Sequence, residues 1–135
     1  DLQIETLEIT LSNVNITESI KFHKKNKKLA TITVVQPAGR FGSINLKKNT
    51  VTNFVEKPKG DGGWINGGFF VLNKKILNFI DNDETVWEKE PLTNLSKKRQ
   101  LLGYKHNGFW YPMDTIRDKE HLENLWQMPN CPWKT

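Results

Sequence analysis

"NITESIKFHKKNKKLATITVVQP", residues 15–37, changes its period half-way along. Asn15 followed by Glu18 has the spacing of a helix N-cap and its reciprocal acid, and Ile16, Ile20 and His23 recur on one helical face. This predicts a helix over about 16–26. "LATITVV" (29–35) is rich in β-branched residues and stops at Gln36-Pro37, where proline has no N–H to give to a ladder; it predicts a buried strand. A helix feeding a buried strand favours an α/β layer that contains parallel pairing.

Outward from that unit, "GSINL" and "TVTNFVEK" flank Lys47-Lys48-Asn49 as a hairpin, and "GGFFVL" (67–72) reads as another buried strand. Asn73 is placed to cap a short helix carrying Ile76, Leu77 and Ile80. In "EPLTNLSKK", Pro91 fits a first helical turn, with Leu92 and Leu95 facing inward. "LLGYKH" (101–106) and "FWYPM" (109–113) read as two strands joined by an Asn107-Gly108 turn. After Asp114, Thr115 and Asp118 repeat the cap-and-acid spacing and open a last helix with Ile116, Leu122, Leu125 and Trp126 on its apolar side. The expected class is α/β: a mixed sheet with flanking helices in one domain, since 135 residues suffice for one core.

Hydrophobic residues make up 36% and charged residues 26%, a globular balance without the apolar run of about 20 residues that a bilayer span needs. No membrane partner is expected. The start, "DLQIETLEIT", has no signal-peptide pattern and Cys131 is the single cysteine, so a reducing cytoplasm is expected. The net charge of +5 is concentrated in "KFHKKNKK" (21–28), "NLKKN" (45–49) and "SKKR" (96–99), at element ends. Aromatics do not interleave with those runs, which argues against a nucleic-acid groove.

The chemistry concentrates in "VEKPKGDGGWINGGFFVL" (55–72). Pro58 ends a strand just after Glu56 and Lys57, so both heads can turn into one cleft. Lysine is a mobile point charge for phosphate and an ionised glutamate accepts from sugar hydroxyls. Two solvated charges at a strand end are the plainer alternative. Asn66 stands beside Gly67 and Gly68, either bonding a sugar hydroxyl next to backbone that a ligand can approach, or serving as a turn residue before the strand. Asp114 is either an oxygen ligand for Mg²⁺ near a phosphate or a pre-helix acid favoured by the helix dipole.

In this order, "FHKKNKKLATITVVQPAGRFG", "FVEKPKGDGGWINGGFFVL", "DETVWEKEPL" and "GFWYPMDTIRD" resemble the sugar-1-phosphate nucleotidyltransferases over about residues 11–135. Trp64, Trp87 and Trp110, with Gln36-Pro37 and Arg40-Phe41, are most similar to the cytidylyl-transferring members. The resemblance implies a Rossmann-like fold and the conversion of CTP and glucose 1-phosphate to CDP-glucose and pyrophosphate with Mg²⁺. It also implies roles: Lys57 as the catalytic cation on the sugar phosphate, Glu56 on sugar hydroxyls, Asn66 and Gly67 at the sugar, and Asp114 as one of two metal aspartates. Relatives are often oligomeric, and "NCPWK" (130–134) is a candidate contact for a homo-oligomer.

Two family features have no counterpart. The Gly-x-Gly-Thr-Arg segment that cradles the triphosphate is absent, so the chain matches the sugar-phosphate half without the N-terminal nucleotide-binding half, and is expected to be inactive alone. Where the family places Gly-Asp, carrying the second metal aspartate, Glu8-Ile9-Thr10 stand before "LSNVNI". The codons GGA-GAT-AAC, for Gly-Asp-Asn, read Glu-Ile-Thr one base later, so residues 1–10 are expected to be a divergent or out-of-frame head on 11–135, with "LEITL" as an unpaired edge. The alternative to an enzyme half is a noncatalytic sugar-phosphate-binding or assembly module.

Overall fold

A computed structural model describes residues 9–39, 43–55 and 63–134. In chain order the elements are β1 (Thr10–Ser12), α1 (Ile16–Asn26), β2 (Ala30–Val35), β3 (Ser43–Lys47), β4 (Thr50–Val55), β5 (Ile65–Leu72), a 3-10 helix (Lys74–Phe79), α2 (Glu90–Lys97), β6 (Leu101–His106), β7 (Trp110–Pro112) and α3 (Ile116–Gln127). They fall into two compact units, residues 15–106 and residues 1–14 with 107–135.

The larger unit is built on the strand order β5-β2-β6. β6 runs parallel to β2 and β5 antiparallel, giving the mixed sheet expected of an α/β chain. α1 starts where Asn15 accepts from the Glu18 N–H at 3.0 Å, and stops at Lys27, whose φ of 52° is left-handed. It covers one sheet face through Phe22, whose ring is 5.5 Å from that of Tyr104, and through buried His23, whose Nδ1 lies 2.8 Å from Thr31 Oγ1. Burial holds the His23 pKa below its ordinary value. Around Ala30, Ile76 and Leu95 pack together against the other face, with Leu29, Phe79, Trp87, Leu92 and Leu101 around them. The β3–β4 hairpin turns at Lys48-Asn49 as expected, with Lys48 at a φ of 54°.

Several expectations need correction. Of the face read for α1, His23 is buried, with Ser19 beside it, whereas Ile16 and Ile20 are 50% and 36% exposed. Likewise Leu77 and Ile80 beside buried Ile76, and Ile116 and Trp126 beside buried Leu122, remain exposed. Short helices lying on a narrow sheet bury only one or two positions per turn. β6 and β7 are not a hairpin. Neither Asn107 nor Gly108 has the positive φ that a two-residue hairpin turn requires, so β6 joins β2 and β7 pairs with β1.

That second pairing builds the smaller unit. Thr10 to Ser12 sit opposite Pro112 to Trp110, so the described part of the "LEITL" segment is paired on one side, in a two-stranded sheet. The pairing is extended by Ser12 Oγ donating to Phe109 O at 2.7 Å and Phe109 N donating to Asn13 Oδ1 at 2.8 Å. Within the same unit, "NCPWK" folds back: Cys131 is buried and the Trp133 ring lies 5.2 Å from Phe109.

Candidate functional site

Glu56 and Lys57 lie outside the described residues, as do Arg40 and Phe41. Asn66 and Gly67 belong to the larger unit and Asp114 to the smaller.

In the larger unit, the carboxyl ends of parallel β2 and β6 meet at Val35 and His106, with the start of β5, Ile65, opposite Val35. Ligands of open α/β sheets bind outside such carboxyl ends. Asn66 is therefore at the expected edge, within β5 rather than in a turn ahead of it. Here the register of β2 against β5 shifts, from Ile32 opposite Phe70 to Val34 opposite Asn66. β5 carries two more residues than β2 across this shift, and half-buried Asn66 secures the irregularity by accepting from the Gly68 N–H at 2.8 Å. Gly68 has a φ of 82° with open space where a Cβ would stand. Gly67 is a glycine for a different reason: a Cβ there would be 2.9 Å from Thr33 O and 3.1 Å from Val35 Cγ1.

In the smaller unit, β7 leads directly to Asp114. Thr115 is the N-cap of α3 and forms a reciprocal capping box with Asp118. Asp118 Oδ2 accepts from the backbone N–H groups of both Asp114 and Thr115 at 3.0 Å, and Tyr111 Oη approaches Oδ1 at a long 3.4 Å. The Asp114 N–H, foremost, and the Thr115 groups hold the buried Asp118 carboxyl below the usual carboxylate range, while burial opposes them. Thr115 and Asp118 thus do the capping, and the exposed Asp114 carboxylate is not used in it. Sequence spacing disclosed the capping box, but not that Asp118 also holds the backbone of Asp114.

Ile9 O accepts from Met113 N at 2.7 Å, so the position where the resemblance implies a second aspartate lies beside the residue preceding Asp114. Among the described residues no three His, Cys, Asp or Glu side chains gather as a metal-holding group.

The Nucleotidyl transferase family profile matches residues 9–119. The chain belongs to the nucleotidyl transferase family. It is 50% identical over 125 residues to the glucose-1-phosphate cytidylyltransferase of Salmonella typhimurium, a match covering 93% of this chain and 49% of the relative. A Bacillus subtilis protein assigned the same activity is 35% identical over 125 residues, covering 92% and 49%. The chain thus spans about half the length of the curated relatives it matches. A Bacillus anthracis protein assigned as a glucose-1-phosphate thymidylyltransferase and solved with sucrose superposes with a TM-score of 0.55 at 15% identity, over 83% of this chain and 49% of that one. That likeness shows the α/β nucleotidyl transferase fold. No helix among the described residues is long and apolar enough to cross a membrane.

Proposed function

We propose that these residues are the sugar-phosphate-binding half of a glucose-1-phosphate cytidylyltransferase, working in the cytoplasm on precursors of surface polysaccharide. The observation that carries this reading is the 50% identity with the Salmonella enzyme, sustained over 125 residues, 93% of this chain. The exposed edge of β5 and the spare carboxylate of Asp114 support it.

In the proposed reaction, an oxygen of glucose 1-phosphate attacks the α-phosphorus of CTP. A new O–P bond forms, and the bond to the departing pyrophosphate breaks. Lys57 neutralises the sugar phosphate, Glu56 accepts from sugar hydroxyls, and Asn66, whose Oδ1 is engaged with Gly68, donates its amide N–H to the sugar. Gly67, by letting β5 lie close against Thr33 and Val35 of β2, keeps Asn66 in place for the sugar. Mg²⁺ is commonly held by one or two carboxylates plus substrate phosphates, and Asp114 fits as one such ligand. When bound it would neutralise charge on the transferring phosphoryl group. Transfer of this kind needs mainly positioning and charge neutralisation, which suits a lysine and a carboxylate-bound cation.

Two measurements test the reading. The chain is expected to bind glucose 1-phosphate in calorimetric titration, and Lys57→Gln to weaken that binding by about tenfold or more, as loss of a charge-assisted phosphate contact should. Binding that ignores Lys57 would overturn the assignment. A polypeptide limited to these 135 residues is expected to release no pyrophosphate from CTP and glucose 1-phosphate, because the triphosphate-cradling segment is not among them. Turnover in that assay would contradict the division into halves.

A further inference from the structure

Around Ala30 the sheet face opposite α1 is sealed by Ile76 and Leu95. Toward the carboxyl ends of β2 and β6 that cover thins. Asn66, Val34 and Lys105 are aligned in register across β5, β2 and β6, so their side chains share one face. Val34 and Asn66 are half-buried there, while Gly103 and Lys105 are exposed. A Cβ on Gly103 would touch only the Val34 methyl carbons, at 3.5 Å. The result is a shelf with a floor of backbone and valine, an amide on one side and an ammonium on the other. Two strand spacings separate Asn66 from Lys105, roughly 9–10 Å between their backbones.

Lys105 is held at this edge. Its Nζ lies 5.3 Å from the centroid of the Trp64 ring, and Trp64 is 39% exposed. Among the described residues no carboxylate pairs with Lys105. A ring face attracts an ammonium without accepting all of its three N–H donors, so the charge is positioned while donors remain for an anion.

We propose that Lys105, steadied by Trp64, is a second phosphate-binding cation that helps fix a hexose phosphate whose hydroxyls meet Asn66. The inference rests on the sugar-phosphate reading given above and adds Lys105 and Trp64 to its binding groups. An apolar floor with a few convergent polar groups is the usual composition of a small-ligand site.

Titrating the chain with glucose 1-phosphate and, separately, with glucose tests the proposal. Lys105→Gln is expected to weaken glucose 1-phosphate by about tenfold, and Lys105→Arg by no more than about threefold, since a phosphate contact to an ionised donor is of that size. Neither substitution should change glucose binding. Lys24→Gln removes an equal charge from α1, on the opposite side of the sheet, and should leave both affinities unaltered. Equal losses from Lys24→Gln and Lys105→Gln would reduce the effect to net charge and overturn the proposal. If Lys57→Gln abolishes binding and Lys105→Gln leaves it intact, Lys105 is excluded while the sugar-phosphate reading stands. If the unaltered chain binds no glucose 1-phosphate, both fall. Because Lys105 is an exposed strand residue, an unchanged melting curve will separate lost contact from lost fold.

Discussion

Leu95→Ala is expected to lower folding stability by about 2–5 kcal/mol, read as a shift in the urea midpoint followed by circular dichroism. Leu95 is 0% exposed, and Ala30 and Ile76 beside it are 0% and 5% exposed. This cluster joins α2, the start of β2 and the 3-10 helix, which are distant in sequence. Removing three side-chain carbons there leaves a cavity that β2, already hydrogen-bonded on both sides, cannot move to fill. Against a total domain stability of commonly about 5–15 kcal/mol, that loss is a large share. Leu77→Ala serves as the comparison: Leu77 is 67% exposed, and its truncation should change stability by no more than about 0.5 kcal/mol. Similar effects from the two variants would mean that the core lies elsewhere.

The contrast between Leu95 and Leu77 also marks how far periodicity can be read. Spacing located both helices, because caps and helical intervals are local properties of the chain. It could not tell which apolar positions would be covered, since that depends on how wide a surface the sheet offers. Ile16, Ile20 and His23 satisfied the pattern, yet of the three only His23, with Ser19 beside it, is buried. Strand partners were still less accessible. Asn107-Gly108 has the composition of a tight turn, but β6 and β7 find partners far away in sequence, and nothing in the dipeptide records that competition. For the candidate site, residue chemistry singled out Asn66 and Asp114 as candidates, whereas the contribution of Asp118 to the backbone of Asp114 and the meeting of Trp64 with Lys105 emerge only in three dimensions.

Gly67→Ala is expected to destabilise the chain by about 1–3 kcal/mol before any ligand is added, the range for forcing extra bulk into a packed position. The new methyl would approach the carbonyl of Thr33 to 2.9 Å, and that carbonyl belongs to the central strand of the sheet, so it cannot swing aside as a side-chain tip would. β5 must instead move away from β2 at the irregularity that Asn66 and Gly68 secure. Glucose 1-phosphate affinity should therefore fall together with the melting temperature. Gly68→Ala meets open space but must keep a φ of 82°, and should cost about 1–2 kcal/mol through backbone strain alone. Separating the two is informative. If Gly67→Ala folds as well as the original chain yet binds no sugar phosphate, the glycine exists to admit the ligand. If stability and affinity decline in proportion, the close approach of two strands is what requires it, and the sugar benefits only because Asn66 is held in place.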